Sequence, residues 1–470
     1  MHGLGRRKLP LHRIDPALLA LSILGFALAS YHLGTKSMWL DEAVSADHAR
    51  LGLGELWTVI SGRDPNMGLY YVLLHFWVRV FGSGEAAVRS MTVVLAGVAV
   101  PTTALLGRRL FGRAAGLIAG LLLAIGPFFV QYEQTARSYA LVVALVTVSS
   151  YFFVAGLEKP SRATLLGYAL TSTLAVYTHY FAAYVSLVQL LTLLALKRRG
   201  AFTREWLIAW GAIVLLCAPE AVFVLRAGTG NLSWISAPTL HGLVHLPADL
   251  AGSSPLALLL LILAGYGFVR AVADRRGRQA AFLAAWLVVP VVLDFAVSEL
   301  GHPLFVSYYL IVVLPALVLL AGLGLARAPW RTPRAIVLAV LVVLSATQLR
   351  DGYTRPGPEN YRGATRYILQ SERRGDGIVY YPAGTLAGPT SGIAYYAALA
   401  GVTGPSPVRF QLGRAPLEHP PRIWLVMRDS DVPTQQRRWV ESSISRTYDT
   451  VSARTDFRNI TVILYRDKTT

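Results

Sequence analysis

The sequence predicts a polytopic α-helical membrane protein of about eleven transmembrane helices, with an interfacial helix in the first outer loop and a small extracytoplasmic C-terminal α/β domain. Three observations predict it. Of 470 residues, 54% are hydrophobic and only 15% are charged, where soluble chains carry roughly 25% charged residues. Apolar stretches recur between short Arg-rich loops, and each is long enough to cross a hydrocarbon core of ~30 Å. Charge then rises abruptly near residue 350: residues 1–349 hold 42 charged side chains, whereas the last 121 residues hold 28, the density of an ordinary soluble domain.

The elements follow in order. Arg6, Arg7 and Lys8 precede the apolar run Pro16–Leu33, and Ala27-Leu28-Ala29 imitates a signal-peptidase site. Retained or removed, this segment sends the following chain to the outer side. Spans are expected at 16–33, 91–107, 114–130, 139–157, 163–177, 180–196, 206–225, 255–272, 280–297, 303–326 and 335–349. The run Leu69–Phe81 is shorter, and basic residues decide its place. If it does not span, the segments 1–13, 107–113, 158–162, 197–204, 270–278 and 326–334 are cytoplasmic and hold 20 Lys/Arg, against seven in the outer segments before residue 350. If it spans, the bias reverses, against the rule that basic loops stay inside. Leu69–Phe81 is therefore read as an interfacial helix, with Tyr70, Tyr71, His75 and Trp77 at the membrane boundary. The chain divides into a membrane-embedded domain at 1–349, with its first outer loop at 34–90, and an outer domain at 350–470.

A net charge of +18 would point to nucleic acid in a soluble chain, but here the basic residues flank apolar spans, where they set orientation. No nucleic acid partner is expected; membrane lipids are. Cys217 is the only cysteine and lies in an apolar span, which excludes disulfides and Cys-based metal sites.

The first outer loop is acidic: Trp39-Leu40-Asp41-Glu42, then Asp47, Glu55 and Arg63-Asp64-Pro65-Asn66. Adjacent carboxylates beyond a helix terminus suit a general base or a divalent metal ligand, the alternative being a solvated acidic loop. A second polar cluster, Gln131-Tyr132-Glu133-Gln134-Thr135-Ala136-Arg137-Ser138-Tyr139, faces the same compartment. There Arg137 suits bidentate phosphate binding, or else snorkels to headgroups. Tyr177-Thr178-His179-Tyr180 ends another span on that side; Glu220 and Asp294 fall inside apolar runs, as proton relays or as partners for Arg137. His241 and His245 stand four apart without a third ligand and read as bystanders, and neither a Walker-type phosphate loop nor a serine elbow is present.

Trp39-Leu40-Asp41-Glu42, Asp64-Pro65-Asn66-Met67-Gly68-Leu69-Tyr70-Tyr71, Phe81-Gly82-Ser83-Gly84-Glu85 with Arg89, Gly107-Arg108-Arg109-Leu110-Phe111-Gly112 and the Gln134–Tyr139 cluster together resemble one family. It is the GT-C glycosyltransferases of the family 39 type, relatives of protein O-mannosyltransferases and lipid A aminoarabinose transferases. The resemblance implies a GT-C-like enzyme of the plasma (inner) membrane that moves a sugar from a polyprenyl-phosphate donor to a glycan, lipid or protein hydroxyl outside. It implies Asp41 as catalytic base with Glu42 beside it. Arg137 is then the donor-phosphate contact, and Asp64, Tyr70, Glu133, Gln134, Tyr139, His179 and Tyr308 are substrate-binding candidates. Mannose is the sugar favoured by the resemblance, with a pentose as the alternative, and no cofactor is implied with certainty. Two departures stand out. Asn66-Met67-Gly68 replaces a frequent Asn-Pro-Pro and should loosen the approach to the interfacial helix. Tyr308-Tyr309 replaces a frequent Arg-Tyr, which leaves Arg137 more of the phosphate contact, with Lys36 and Arg63 as candidate substitutes.

In the last 121 residues, helices at 359–371, 391–400 and 432–445 alternate with strands at 377–381, 422–427 and 459–466, an α/β layer that carries no catalytic cluster and suits packing over the site or holding the acceptor. A transporter or flippase of lipid-linked sugars is the main rival reading and a sensor or assembly protein the third. A transporter predicts internal repeats, which the sequence lacks, and has no special need for Asp41.

Overall fold

The computed structural model describes residues 15–196, 203–228, 232, 234–382, 389–410, 416, 418–451 and 454–468, and a helix lies on each of the eleven expected segments. The basic N-terminal run and residues 197–202 of the expected cytoplasmic segments lie outside the described residues. Seven helices are long and apolar enough to cross a membrane: Glu85–Phe111, Tyr139–Glu158, Arg204–Ala227, Ser254–Ala273, Gly277–Leu300, Tyr309–Ala326 and Arg331–Thr354. Arg113–Ala124 and Pro127–Glu133 make an eighth as one span bent by 60°. The bend falls where Pro127, lacking an N–H, cannot continue the first helix but fits the first position of the next. The difference from eleven lies in Pro16–Ser30, Arg162–Thr178 and Ala182–Ala195, of 15, 17 and 14 residues. At 1.5 Å per residue these reach about 21–26 Å, short of the hydrocarbon thickness.

The bundle closes around Tyr309–Ala326, whose residues are almost wholly buried. Small residues allow that closeness. A Cβ at Gly267 would lie 2.2 Å from the Leu320 carbonyl oxygen, and one at Gly324 would lie 2.0 Å from that of Leu263, so the two backbones touch. Between apolar helices in lipid, such contact supplies the packing energy that water exclusion cannot.

The segment 34–90 is more ordered than a loop reading allows. It folds into helix Leu40–Arg50, helix Leu53–Thr58, a π-helical turn Val59–Arg63 and helix Gly68–Phe81. The Met67-Gly68 departure does not loosen this last helix. Met67 takes a left-handed φ of 75° before it, and Gly68 packs so tightly under Ile60 that a Cβ would come within 2.9 Å of that side chain.

Beyond Thr354 the chain builds helices Tyr361–Ser371, Thr390–Leu399 and Thr434–Ser445 and a sheet of β1 (Gly377–Tyr381), β2 (Ser406–Pro407), β3 (Arg422–Arg428), β4 (Tyr448–Thr450), β5 (Thr455–Asp456) and β6 (Ile460–Asp467). The order is β2-β1-β3-β6-β4, with β5 also on β6. β1 runs parallel to β2 and β3, and β6 is antiparallel to β3. The three longer strands and three helices coincide with the sequence reading, and β2, β4 and β5 are additional to it.

This sheet layer is locked onto the 34–90 segment. Met38, Tyr70, Tyr71 and Leu74 share a core with Tyr361, Ile368, Ile378, Tyr395 and Trp424. Polar contacts tighten the join: Arg362 pairs with Glu85, Tyr396 binds Glu85 and accepts the Met38 N–H at 2.8 Å, and Tyr395 donates to the Ser83 carbonyl at 2.8 Å.

Candidate active site

The site starts from the helix that opens at Leu40. The Leu40 N–H, unsatisfied within the helix, donates to Glu359 of the C-terminal layer at 2.6 Å, and Glu359 is itself paired with Arg428. On one face of the next two turns stand Asp41, Ser45 and His48, at i, i+4 and i+7. Glu42 points elsewhere. Its carboxylate is 2% exposed and makes a bidentate pair with Arg89 at 2.8 and 2.7 Å. It also accepts the Ala136 N–H at 2.8 Å and the Trp39 N–H at 3.4 Å. Both oxygens are committed to Arg89 and to backbone N–H groups, which separates Glu42 from Asp41 although the sequence reading sets the two side by side. By holding the N–H of the residue before Arg137, it ties the helix of Asp41 to the connector that carries Arg137.

Arg137 projects from the connector between Pro127–Glu133 and Tyr139–Glu158 back toward Asp41. Its Nη2 lies 3.6 Å from Asp41 Oδ2, and Nη1 lies 3.3 Å from the Tyr71 hydroxyl and 3.5 Å from Ser45 Oγ. The guanidinium sits 5.7 Å over the Tyr139 ring, and its Nε is buried with no hydrogen-bond partner among the described residues. Tyr71 donates to Asp64 at 2.6 Å. Burial pushes the Asp64 carboxyl above the usual carboxylate range, against the pull of Arg137. The opposite sign holds for His48, which burial and the Arg137 charge lower to about 4, so its ring is neutral at pH 7. Arg137 is thus the positive centre facing two carboxylates, Asp41 and Asp64.

An aromatic wall backs this pair. Tyr139 lies 5.1 Å from Tyr308 and 6.1 Å from Tyr309, and His179 lies 5.0 Å from Tyr309, ring centre to ring centre. Tyr132 continues the wall at 5.8 Å from Tyr308. His179 Nε2 is buried with no hydrogen-bond partner among the described residues.

Other sequence candidates stand apart. Tyr70 bonds Thr92 at 2.8 Å, and its neighbour Tyr71 takes the place in the site. Gln134 spends its amide on the Ala29 and Tyr31 carbonyls, clasping the end of helix Pro16–Ser30. Glu133 is buried, one oxygen without a hydrogen bond among the described residues, and its electrostatic neighbour is Tyr353. Lys36 donates to the Gly352 carbonyl, and Arg63 is exposed at the end of the π-helical turn. Glu220 and Asp294 are buried and, among the described residues, ion-paired to no base, Arg137 included. No group of three or more His, Cys, Asp or Glu converges as a metal site among the described residues, and the His241 and His245 rings lie against each other, tilted by 49°, with centres 4.1 Å apart.

The sequence model of the dolichyl-phosphate-mannose-protein mannosyltransferase family matches residues 65–223, a segment that carries Tyr71, Arg137, Tyr139 and His179 but not Asp41. No curated protein sequence matches the chain. Among solved structures, ArnT from Cupriavidus metallidurans bound to undecaprenyl phosphate superposes with a TM-score of 0.63 at 12% identity, covering 96% of this chain and 98% of that one. The archaeal oligosaccharyltransferase AglB from Archaeoglobus fulgidus, in complex with an inhibitory peptide and a dolichol-phosphate, superposes with a TM-score of 0.53 at 12% identity, covering 93% and 73%. Arabinofuranosyltransferase AftD from Mycobacteria gives a TM-score of 0.53 at 16% identity, covering 97% and 42%. At these identities the likeness is one of fold.

Proposed function

We propose that this chain is a glycosyltransferase of the GT-C superfamily, a reading supported by the family-model match over residues 65–223 and by the likeness of fold, and that it moves a mannose or a pentose from a polyprenyl-phosphate donor to an acceptor hydroxyl outside the membrane. The observation that carries the reading is the Asp41–Arg137 pair, 3.6 Å apart at the junction of the bundle, the first outer loop and the C-terminal layer. A solved relative in fold holds undecaprenyl phosphate and another a dolichol-phosphate, which supports a lipid phosphate as the donor's head.

The chemistry follows from the charges. A polyprenyl-phosphate sugar is a phosphodiester with one negative charge, which Arg137 meets with its unpartnered Nε and with the Nη2 now facing Asp41. Asp41 is thereby released to accept the proton of the acceptor hydroxyl. The acceptor oxygen attacks the anomeric carbon opposite the phosphate, the carbon–oxygen bond to phosphate breaks, and its electron pair leaves on the phosphate. The leaving group becomes a phosphomonoester with a second negative charge, so Arg137 binds the transition state more strongly than the ground state. Attack from the opposite face inverts the anomeric configuration. Tyr139, His179, Tyr308 and Tyr309 offer surface to the sugar and the first isoprene unit, and Asp64 holds Tyr71 against Arg137. Glu42, Tyr70, Gln134 and Lys36 hold the frame; Arg63 stays an outlying phosphate candidate.

In this reading the eleven apolar helices all cross the inner membrane, the shorter ones where the bilayer thins locally around them, and Gly68–Phe81 lies along the outer interface. Residues 1–349 form the membrane domain, and residues 350–470 form an outer domain that closes the site and receives a glycan, lipid or protein acceptor. The test is mass spectrometry of surface glycans and glycoproteins from cells with and without the protein, alongside transfer by the purified enzyme from polyprenyl-phosphate mannose and polyprenyl-phosphate pentose. A sugar lost from the surface and transferred in vitro from one of these donors supports it; unchanged glycans and no transfer from either overturn it.

A further inference from the structure

Helix Tyr139–Glu158 begins beside Arg137 and ends, about 30 Å away at 1.5 Å per residue, at a cavity. That cavity has a volume of 750 Å³, within the ~300–1,000 Å³ range of built ligand sites. Its lining is mostly apolar, including Phe153, Trp206 and Phe282, and also carries Arg109, Glu158, Arg275 and Arg278. Leu191, also on the lining, is 48% exposed, so the apolar slot runs out onto the lipid-facing side of the bundle.

The lining is over-supplied with positive charge. Arg109 is paired with Glu158 at 2.7 Å. The nearby acid Asp274 is taken by Arg327 at 2.8 Å and Arg270 at 3.6 Å, and Arg276 is spent on the Leu110 carbonyl. Arg275 and Arg278 are exposed, and no carboxylate pairs with either among the described residues. Arg278 also sits in the first turn of the 24-residue helix Gly277–Leu300, which has no acidic residue there. Cations at a helix N-terminus oppose the helix dipole, an arrangement that an anion relieves.

We propose that this cavity binds one anionic phospholipid, its phosphate against Arg275 and Arg278 and an acyl chain along Phe153, Trp206 and Phe282. Charge selects the headgroup and the slot selects a lipid over a free anion, because inorganic phosphate would leave the apolar walls unfilled. Basic pockets between membrane helices recognise acidic headgroups in this way. The site is separate from the Asp41–Arg137 pair, and its test needs no transfer activity.

The full-length protein is reconstituted in nanodiscs of phosphatidylcholine with a minority of phosphatidylglycerol, released, and its retained lipids counted by native mass spectrometry. The wild type should hold one phosphatidylglycerol in preference to phosphatidylcholine. The double variant Arg275→Gln/Arg278→Gln changes only exposed side chains and should lower that preference about 30-fold, the combined worth of two arginines toward an acidic headgroup. Ala285→Trp, which fills the slot and leaves the arginines in place, should expel the lipid while the phosphatidylcholine-nanodisc melting temperature stays near wild type. Equal retention of the two lipids by the wild type, an unchanged preference in the double variant, or displacement of the lipid by inorganic phosphate alone would each overturn the assignment.

Discussion

Glu42 and Asp41 are neighbours in one helical turn, and replacing each carboxylate by its amide should have opposite consequences. Glu42→Gln keeps the side-chain size but leaves Arg89, 4% exposed, without its counter-charge. Breaking a buried pair from one side costs about 3–5 kcal/mol. The lower end applies here, because Arg89 keeps bonds to the carbonyls of Leu33 at 2.9 Å, Lys36 at 3.0 Å and Ser37 at 3.4 Å. A loss of about 3 kcal/mol corresponds to a fall of roughly 6–10 °C in melting temperature for a large domain. Glu42 also holds the Ala136 N–H, so transfer should decline by loosening of Arg137 and recover partly at low temperature. The assay is detergent-solubilised melting followed by size-exclusion fluorescence, with transfer measured well below the transition. An unchanged melting temperature combined with abolished transfer would refute the argument and return Glu42 to the chemistry.

Three further outcomes follow. Arg137→Lys should weaken donor use and Arg137→Ala should lower turnover by about 10²–10³-fold, because removal of a donor aimed at developing charge costs that much; steady-state kinetics with a polyprenyl-phosphate sugar check it. Asp47, half-buried against Ser391, has its carboxyl raised by burial from an ordinary 3.8 to about 6. A raised folded value means stability that is fully present below pH ~4 and lost as pH rises through ~6, so Asp47→Asn should add about 1–2 kcal/mol at pH 8 and nothing at pH 4, read from melting across that range. Ser371 is exposed at the end of helix Tyr361–Ser371, and Ser371→Cys in a Cys217→Ala background should react with an impermeant thiol reagent on intact cells; labelling only after lysis would place the C-terminal layer inside.

Much of the bundle is legible in the sequence because long apolar runs have one cheap solution in lipid, a helix. Whether a helix as short as Ala182–Ala195 spans is not legible, since the apolar run from Tyr180 to Leu196 is trimmed at both ends by its turns. The order of the 34–90 segment also escapes a local reading. Helix Leu40–Arg50 carries too few apolar residues to announce itself, and it is held by distant partners: Glu359 on its first N–H, Arg89 on Glu42, and the C-terminal core beneath it. Only once that helix exists does the spacing of Asp41, Ser45 and His48 place the three on one face. Tyr70 and Tyr71 show the same limit, because helix register alone sends one to Thr92 and the other to Arg137. The two- and three-residue strands β2, β4 and β5 exist only as partners of β1 and β6, so no local pattern encodes them.

The central claim is that Asp41 takes the acceptor's proton while Arg137 holds the donor's phosphate. Its most direct test is single-turnover transfer by Asp41→Asn, measured beside equilibrium binding of the same polyprenyl-phosphate sugar. Removing the carboxylate 3.6 Å from Arg137 takes away a charge that competes with phosphate. The variant should therefore bind donor at least as tightly as wild type while transferring about 10²-fold more slowly or worse. Transfer near the wild-type rate would contradict the claim, as would a loss explained wholly by weakened donor binding.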